Sequence, residues 1–151
     1  MRENYDLSSL AHMHRQIMKR YEAEWSKMCP KDELTLHQSD LLLRLSEEGP
    51  LKSSDLAQQL GISFAGMTYL SDKLVECGLI ERIRCGDDRR VVMLGITAKG
   101  RELIGTIVDR KQQLIKKTLS GIYQDDLKSM GRIYSTILSN LTAEQETLGK
   151  G

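Results

Sequence analysis

Four arginines and two aspartates surround a short turn in the stretch RIRCGDDRRVVMLGIT, which covers residues 82–97. The turn reads Gly-Asp-Asp-Arg, and it separates two segments rich in β-branched residues, which predict the strands of a β-hairpin. Guanidinium groups bind phosphate and the narrow minor groove of DNA, whereas charges at the tip of an isolated hairpin are usually only solvated. The turn alone leaves both interpretations open, so the surrounding elements must decide between them.

The three cysteines are a second set of residues with reactive chemistry. Cys29, Cys77 and Cys85 are odd in number and irregularly spaced, so we predict reduced thiols rather than a disulfide framework. Cys29 follows a predicted helix and has Lys27 and Lys31 nearby, which favours the nucleophilic thiolate. It is therefore the candidate redox-responsive residue. Cys77 falls on the apolar stripe of a predicted helix, and we expect it to be buried and inert.

A zinc site is the metal-binding alternative that the spacing offers. Cys29, Glu33 and His37 are placed along the chain in a way that could hold zinc. However, Pro30 interrupts the helix, and no histidine or cysteine follows Cys85 to complete the site from a later helix. We therefore predict no metal and no cofactor.

The sequence contains no motif that indicates an enzyme. It has no Gly-rich phosphate loop, no HExxH motif and no nucleophile elbow, so we predict a non-enzymatic protein. With 22 basic and 21 acidic residues the net charge is +1, so nucleic-acid binding would depend on locally placed charge. We see neither a signal peptide nor a run of roughly 18 apolar residues, and we expect a cytoplasmic protein with no membrane contact.

Apolar periodicity predicts a chain made mostly of helices. Apolar residues recur at intervals of three and four over residues 7–28, and Pro30 ends this first helix. Thr35 and Gln38 form a capping box for a second helix, which ends at Gly49. The elements expected after it are helices over residues 53–61 and 63–78, the hairpin, a long helix after residue 97 and a last helix over about residues 125–141.

The two short helices and the hairpin predict a winged helix-turn-helix. Helices joined by so short a turn, here at Gly61, must cross steeply, with Ala57 at the crossing and Met67 as an apolar plug. The apolar stripes of the outer helices exceed what one chain can cover, which favours a homodimer. The expected fold is mainly α with a small β-hairpin, in a single winged-helix domain over residues 1–151. The DNA-binding lobe is expected in about residues 31–97. The flanking N- and C-terminal dimerisation helices are expected in about residues 1–29 and 98–151.

With these motifs in place, the chain resembles the MarR family of bacterial and archaeal transcription regulators over nearly its whole length. The segments LAQQLGIS and SDKLVECGLIER lie at the family's distances from each other. The segment DRRVVMLGIT fits the wing pattern of this family, D-x-R-x-x-x-L-x-(aliphatic)-T. The matching residues are Asp88, Arg90, Leu94, Ile96 and Thr97. The resemblance implies that Arg90 enters the minor groove and that Asp88 holds the wing in shape, with Arg84 and Arg89 as further wing contacts.

The resemblance also makes the second short helix the recognition helix, where this sequence departs from the family. Many members have a basic residue where this chain has Phe64 and an arginine where it has Tyr69, so Lys73 is the only basic residue between Ser63 and Cys77. Hydroxyl, aromatic and methyl groups must then supply much of the base readout. The residues expected to contact DNA from this helix are Phe64, Ala65, Thr68, Tyr69 and Lys73.

The expected function is that of a homodimeric transcriptional repressor that binds a pseudo-palindromic operator in double-stranded DNA and is released by a small ligand or an oxidant. Similar proteins bind small aromatic anions between their dimer helices and DNA-binding lobes, so His14 and Trp25 are candidates for an effector cleft. Two alternatives stay open. One is a winged-helix protein-interaction module, favoured by the few basic residues on the recognition helix, and the other is a thiol or metal sensor with DNA binding as its output.

Overall fold

The computed structural model describes residues 5–29, 34–88 and 90–148, and for residues 143–148 it describes the helical backbone alone. The elements in these ranges are α1 (Leu7–Met28), α2 (Leu36–Glu48), β1 (Leu51–Lys52), α3 (Ser53–Leu60), α4 (Phe64–Glu76), β2 (Ile80–Arg84), β3 (Val92–Ile96), α5 (Ala98–Thr118) and α6 (Gln124–Leu148). The expected class, mainly α with a small β-hairpin in a winged helix-turn-helix, is confirmed.

Local hydrogen bonds explain where several helices begin and end. The Thr35 hydroxyl accepts from the Gln38 N–H while the Gln38 side chain accepts from the Thr35 N–H, which is the predicted capping box of α2. The Ser63 hydroxyl caps α4 by accepting from the Gly66 N–H at 3.1 Å. Gly61 ends α3 with a φ of 64°, in the left-handed region that favours glycine.

The sheet contains three antiparallel strands in the order β1-β3-β2. β2 and β3 form the predicted hairpin, with Ile80 opposite Ile96 and Arg84 opposite Val92. β1 pairs with the other edge of β3 and was not predicted, because two residues show no periodicity. β1 leads straight into α3, so Lys52 occupies the N-cap position and makes no side-chain capping bond.

A single hydrophobic core joins helices α1 to α5 with the hairpin. Met67 and Leu74 face inward from α4, as predicted, and Trp25 is the one buried aromatic side chain described in α1. The buried apolar residues of this core are Trp25, Leu41, Leu42, Leu45, Leu56, Ala57, Met67, Leu74, Leu79, Ile80, Leu94, Ile96, Ile107 and Leu114.

The chain divides into two compact units, Met1–Ile115 and Lys116–Gly151. The first contains the winged helix-turn-helix, and along its α1 helix the large apolar side chains Leu7, Leu10, Met13, Ile17 and Met18 are exposed. The second contains α6, on which Ile133, Tyr134, Ile137, Leu138 and Leu141 are exposed. None of the helices in the described part of the chain is long and apolar enough to cross a membrane.

Candidate DNA interface and effector cleft

One face of α4 is exposed from the first turn of the helix to the last. Its exposed residues recur at helical spacing and are Phe64, Ala65, Thr68, Tyr69, Asp72, Lys73 and Glu76. Phe64 and Tyr69 are 71% and 63% exposed, although both are large aromatic residues. The structure thus places all five residues expected on the recognition helix on one surface, opposite the face that Met67 and Leu74 bury.

Polar contacts organise the exposed face of α4. The Lys73 ammonium lies 5.9 Å from the centroid of the Tyr69 ring, one turn away along the helix. The Thr68 hydroxyl donates to the Phe64 carbonyl at 3.1 Å, which leaves its oxygen lone pairs facing outward as acceptors. Asp72 forms an ion pair with Arg82 of β2, so the base of the wing is tied directly to the recognition helix.

The wing is the loop between β2 and β3, and its aspartate acts on the backbone. The Asp88 carboxylate accepts from the Arg90 N–H at 3.0 Å, and the Asp88 carbonyl accepts from the Val91 N–H at 3.3 Å. These bonds shape the turn from which the exposed Arg90 side chain extends. Arg84 is also exposed, at the end of β2, whereas Arg89 lies outside the described residues.

A groove of about 360 Å³ separates the wing from the start of α3 and from α4. Arg90, Phe64 and Thr68, all expected from the sequence, line it together. It also contains residues that the sequence analysis did not select, namely Lys52, Ser53, Ser54 and Arg82. The signal that could have identified the first three is their position at a helix N-terminus, where N–H groups and the helix dipole attract anions.

A second cleft, of about 290 Å³, lies within the first unit among α1, the end of α4 and α5. Its apolar lining consists of Trp25, Leu34, Leu79, Leu103 and Ile107, and its polar lining consists of Cys29, Cys77, Lys99, Thr106 and Arg110. Trp25 was expected there. His14 is exposed on α1 and does not line this cleft.

Trp25 is held in a fixed position beside the cleft. Its indole N–H donates to the Leu34 carbonyl at 2.9 Å, and the Lys111 ammonium lies 5.4 Å from its ring centroid. Lys111 also forms an ion pair with Asp40 of α2. Burial and then the Asp40 carboxylate raise the pKa of Tyr21 above its ordinary value.

The thiols differ from the prediction in one respect. Cys77 is exposed and lines the cleft, so the expectation that it is buried was wrong. It is the C-cap residue of α4 and still has a right-handed helical backbone, but at this end of the helix its side chain meets the open cleft instead of the core. Cys29 is partly buried, and its sulfur lies 3.7 Å from Nη1 of Arg110. Cys85 is exposed in the wing.

Comparisons with known proteins identify the family. The family model described as "MarR family" matches residues 34–92. The HTH-type transcriptional regulator FarR of Neisseria gonorrhoeae is 31% identical over 114 residues, which cover 74% of this chain and 70% of FarR. The chain belongs to the MarR family. The HTH-type transcriptional repressor MdtR of Bacillus subtilis is 22% identical over 136 residues, covering 89% of this chain and 88% of MdtR.

Solved structures share the fold. That of BpsR from Bordetella bronchiseptica, whose DNA binding is regulated by 6-hydroxynicotinic acid, has a TM-score of 0.79 at 22% identity and covers 85% of this chain and 97% of BpsR. Streptococcus pneumoniae FabT, solved in complex with DNA, has a TM-score of 0.73 at 19% identity, with 91% and 99% covered. The family expected from the sequence is confirmed, and the protein is a DNA-binding transcriptional regulator of the MarR family.

Proposed function

We propose that this regulator is a cytoplasmic homodimeric repressor that binds a pseudo-palindromic operator and leaves it when a small aromatic anion enters the cleft beside Trp25. The observation that carries the DNA-binding part is the groove between the wing and α4. Guanidinium groups from β2 and the wing, an ammonium group from β1 and hydroxyl groups from α3 and α4 converge there, which suits a phosphate backbone that passes between a helix and a wing.

The recognition helix reads the major groove through its exposed face. Thr68 and Tyr69 hydrogen-bond to bases or phosphates, Phe64 and Ala65 contact thymine methyl groups, and Lys73 neutralises a phosphate. The exposure of both aromatic side chains supports this assignment, because a helix face with no partner rarely leaves such residues in water.

The wing and the start of α3 hold the DNA backbone and the minor groove. Arg90 enters the minor groove from the turn that Asp88 shapes, with Arg84 and Arg89 contacting the flanking phosphates. At the opposite side of the groove, Lys52 and the N-terminal N–H groups of α3 bind phosphate, because both supply positive charge at the same edge.

The cleft suits an aromatic carboxylate. Its apolar walls accommodate a ring, and Lys99 and Arg110 supply positive charge for an anionic group. The regulation of BpsR by 6-hydroxynicotinic acid supports a ligand of this chemical class in a protein of the same fold.

The dimer is supported by the exposed apolar side chains of α1 and of α6, each of which needs a partner surface. Members of the MarR family bind DNA as dimers. A two-fold dimer presents two recognition helices to successive major grooves, which requires an operator with matching half-sites.

The test is fluorescence anisotropy with a labelled DNA duplex taken from upstream of the protein's own gene, with a scrambled duplex for comparison. We expect selective binding that weakens steeply as salt rises, because phosphate contacts release counterions. Tyr69→Ala should weaken operator binding, whereas Tyr123→Ala, which removes an exposed tyrosine outside the interface, should not. Binding that is insensitive to salt and to sequence would favour the protein-interaction alternative instead.

A thiol sensor is the second candidate, and the contact between Arg110 and Cys29 favours it. A guanidinium donor beside sulfur stabilises the thiolate, which is the form that oxidants attack. Oxidation of Cys29 would place a polar, charged group in the same cleft. If this candidate is correct, hydrogen peroxide releases the operator from the parent protein but not from Cys29→Ser.

A further inference from the structure

Lys99 connects the cleft to the recognition helix. Its side chain lines the cleft from the first turn of α5, and its ammonium donates to the backbone carbonyl of Cys77 at 2.8 Å. Cys77 is the C-cap residue of α4. One lysine therefore contacts both the space proposed for the ligand and the end of the helix proposed to read the operator.

The contact stabilises the end of α4 for a general physical reason. The last carbonyl groups of a helix have no partners within the helix and carry partial negative charge from the helix dipole. A lysine ammonium that binds one of them offsets that charge. The last turn of α4 also carries Lys73 and Glu76 on the exposed face. Loss of helical structure in this turn would therefore change side chains on the surface proposed to contact DNA.

Neighbouring contacts make this junction rigid. The Thr97 hydroxyl donates to the Gly78 carbonyl at 2.6 Å, and the Thr97 N–H donates to the Leu79 carbonyl at 3.1 Å. A Cβ atom on Gly100 would overlap the Leu79 carbonyl oxygen, so the backbones meet without intervening side chains. The start of α5 and the end of α4 therefore move together, and Lys99 supplies the charged group at this junction that a ligand can reach.

We propose that Lys99 transmits occupancy of the cleft to the recognition helix. This role of Lys99 rests on the proposed function, in which an aromatic anion releases the operator, and it adds the contact by which the bound anion affects α4. A carboxylate in the cleft binds an ammonium more strongly than a neutral carbonyl does, so it draws Lys99 away from Cys77. The C-terminal turn of α4 then loses its stabilising cation, and affinity for the operator falls.

The proposal predicts that removing the ammonium imitates the ligand. Lys99→Met keeps the length and apolar stem of the side chain, whereas Lys99→Arg keeps the charge. Without any ligand, Lys99→Met should bind the operator about three- to tenfold more weakly than the parent, as expected for the loss of one solvent-exposed hydrogen bond. Lys116→Met, which removes an exposed lysine from the same helix, is the matched control and should bind as the parent does.

Hydrogen exchange gives a readout that does not depend on DNA. In Lys99→Met, the backbone amides in the last turn of α4 should exchange several-fold faster than in the parent, while those in the first turn should not change. Lys99→Arg should restore both protection and operator affinity. Parental affinity and parental exchange in Lys99→Met would overturn the proposal whether or not a ligand is known.

The ligand arm uses 6-hydroxynicotinate as the probe. Its binding is followed by fluorescence of Trp25, the single tryptophan of the chain. If the probe weakens operator binding of the parent and of Lys99→Met by the same factor, the coupling route is wrong while the proposed function stands. If the probe binds neither protein, release by this class of anion fails, and the ligand-free comparison still decides whether Lys99 supports α4. If the probe weakens operator binding of the parent but changes that of Lys99→Met by a factor close to one, the result supports the route through Lys99.

Discussion

At the scale of single residues, the charges around the wing turn have different roles. Asp88 bonds to the backbone of Arg90, so a carboxylate that would repel phosphate is engaged in building the turn. Arg82 is engaged with Asp72 on α4, while Arg90 extends from the turn into the groove. An acidic residue in a loop proposed to contact DNA is therefore explained by the geometry it imposes on its neighbour.

The first prediction concerns Arg90 and Asp88. Arg90→Ala should weaken operator binding by about 1–3 kcal/mol, as loss of a groove contact does. Asp88→Ala removes a negative charge, yet it should also weaken binding because the turn loses its bond to the Arg90 N–H. Titrations of operator DNA measure both effects. The control is Arg101→Ala, which removes an exposed arginine outside the wing.

The double variant is the sharper part of this experiment. If the two residues act as one unit, Arg90→Ala with Asp88→Ala should bind little more weakly than Arg90→Ala alone. Parental affinity in both single variants would show that the charges at the turn are only solvated, and the assignment of the wing would then be wrong.

The second prediction concerns thiol reactivity. Cys29 should react with iodoacetamide faster than Cys77, although Cys77 is the more exposed, because the Arg110 guanidinium stabilises the Cys29 thiolate. Arg110→Met should slow labelling of Cys29 and leave Cys77 unchanged, as followed by peptide mass spectrometry. Equal or reversed rates in the parent would remove the basis for the thiol-sensor candidate.

At the scale of elements, the junction between α4 and α5 depends on a glycine. Gly100 lies against the Leu79 carbonyl so closely that a side chain has no room. The neighbouring Thr97 caps α5, because its hydroxyl accepts from the Gly100 N–H at 3.1 Å. The close approach of the two backbones explains a glycine in the first turn of a helix, where its propensity is poor.

The third prediction compares two glycines of α5. Gly100→Ala should lower the free energy of unfolding by about 1–3 kcal/mol, the usual cost of overpacking. Gly105→Ala is the control in the same helix, and because its Cβ meets nothing within 4 Å it should raise that free energy by up to about 1 kcal/mol. Urea unfolding measures both. A stabilised Gly100→Ala protein would contradict the close contact.

At the scale of the whole molecule, the balance of charge and the exposed apolar surface point to different partners. With a net charge of +1 the protein as a whole attracts DNA only weakly, so the proposed function assigns that attraction to the local positive charge of the groove and the wing. Many of the exposed apolar side chains lie on α1 or on α6, and none of these is among the residues that line that groove. The residues available to a second copy of the chain thus differ from those that line the groove.

The fourth prediction concerns this second copy. Sedimentation at micromolar concentration should give about twice the chain mass of 17.1 kDa. Ile137→Asp introduces a charge among the exposed apolar residues of α6 and should shift the protein towards the monomer, with weaker operator binding as a result. His37→Asp, which introduces a charge at an exposed residue of α2 outside the proposed dimerisation helices, should leave the dimer intact. A parent protein that sediments as a stable monomer would contradict binding to two half-sites.

The sequence by itself determined the helices, the hairpin and the family, although not the short strand β1. Capping by Thr35 and Ser63, the left-handed Gly61 and the apolar stripe through Met67 and Leu74 depend on residues within one or two turns of each other. Such signals are local, so they can be read without knowing the fold. The wing motif is equally local, and with the helix-turn-helix it led to the correct family.

Only the tertiary structure decided which distant residues share a surface. It brought Lys52 and Arg82 into the groove with Arg90, and it gathered Trp25, Lys99 and Arg110 around one cleft. It also exposed Cys77, which the helical stripe had assigned to the core. The physical reason is that sequence periodicity fixes the direction of a side chain along the helix but not what covers it. What a side chain meets at a helix end depends on which other elements pack there, and at Cys77 they leave an open cleft.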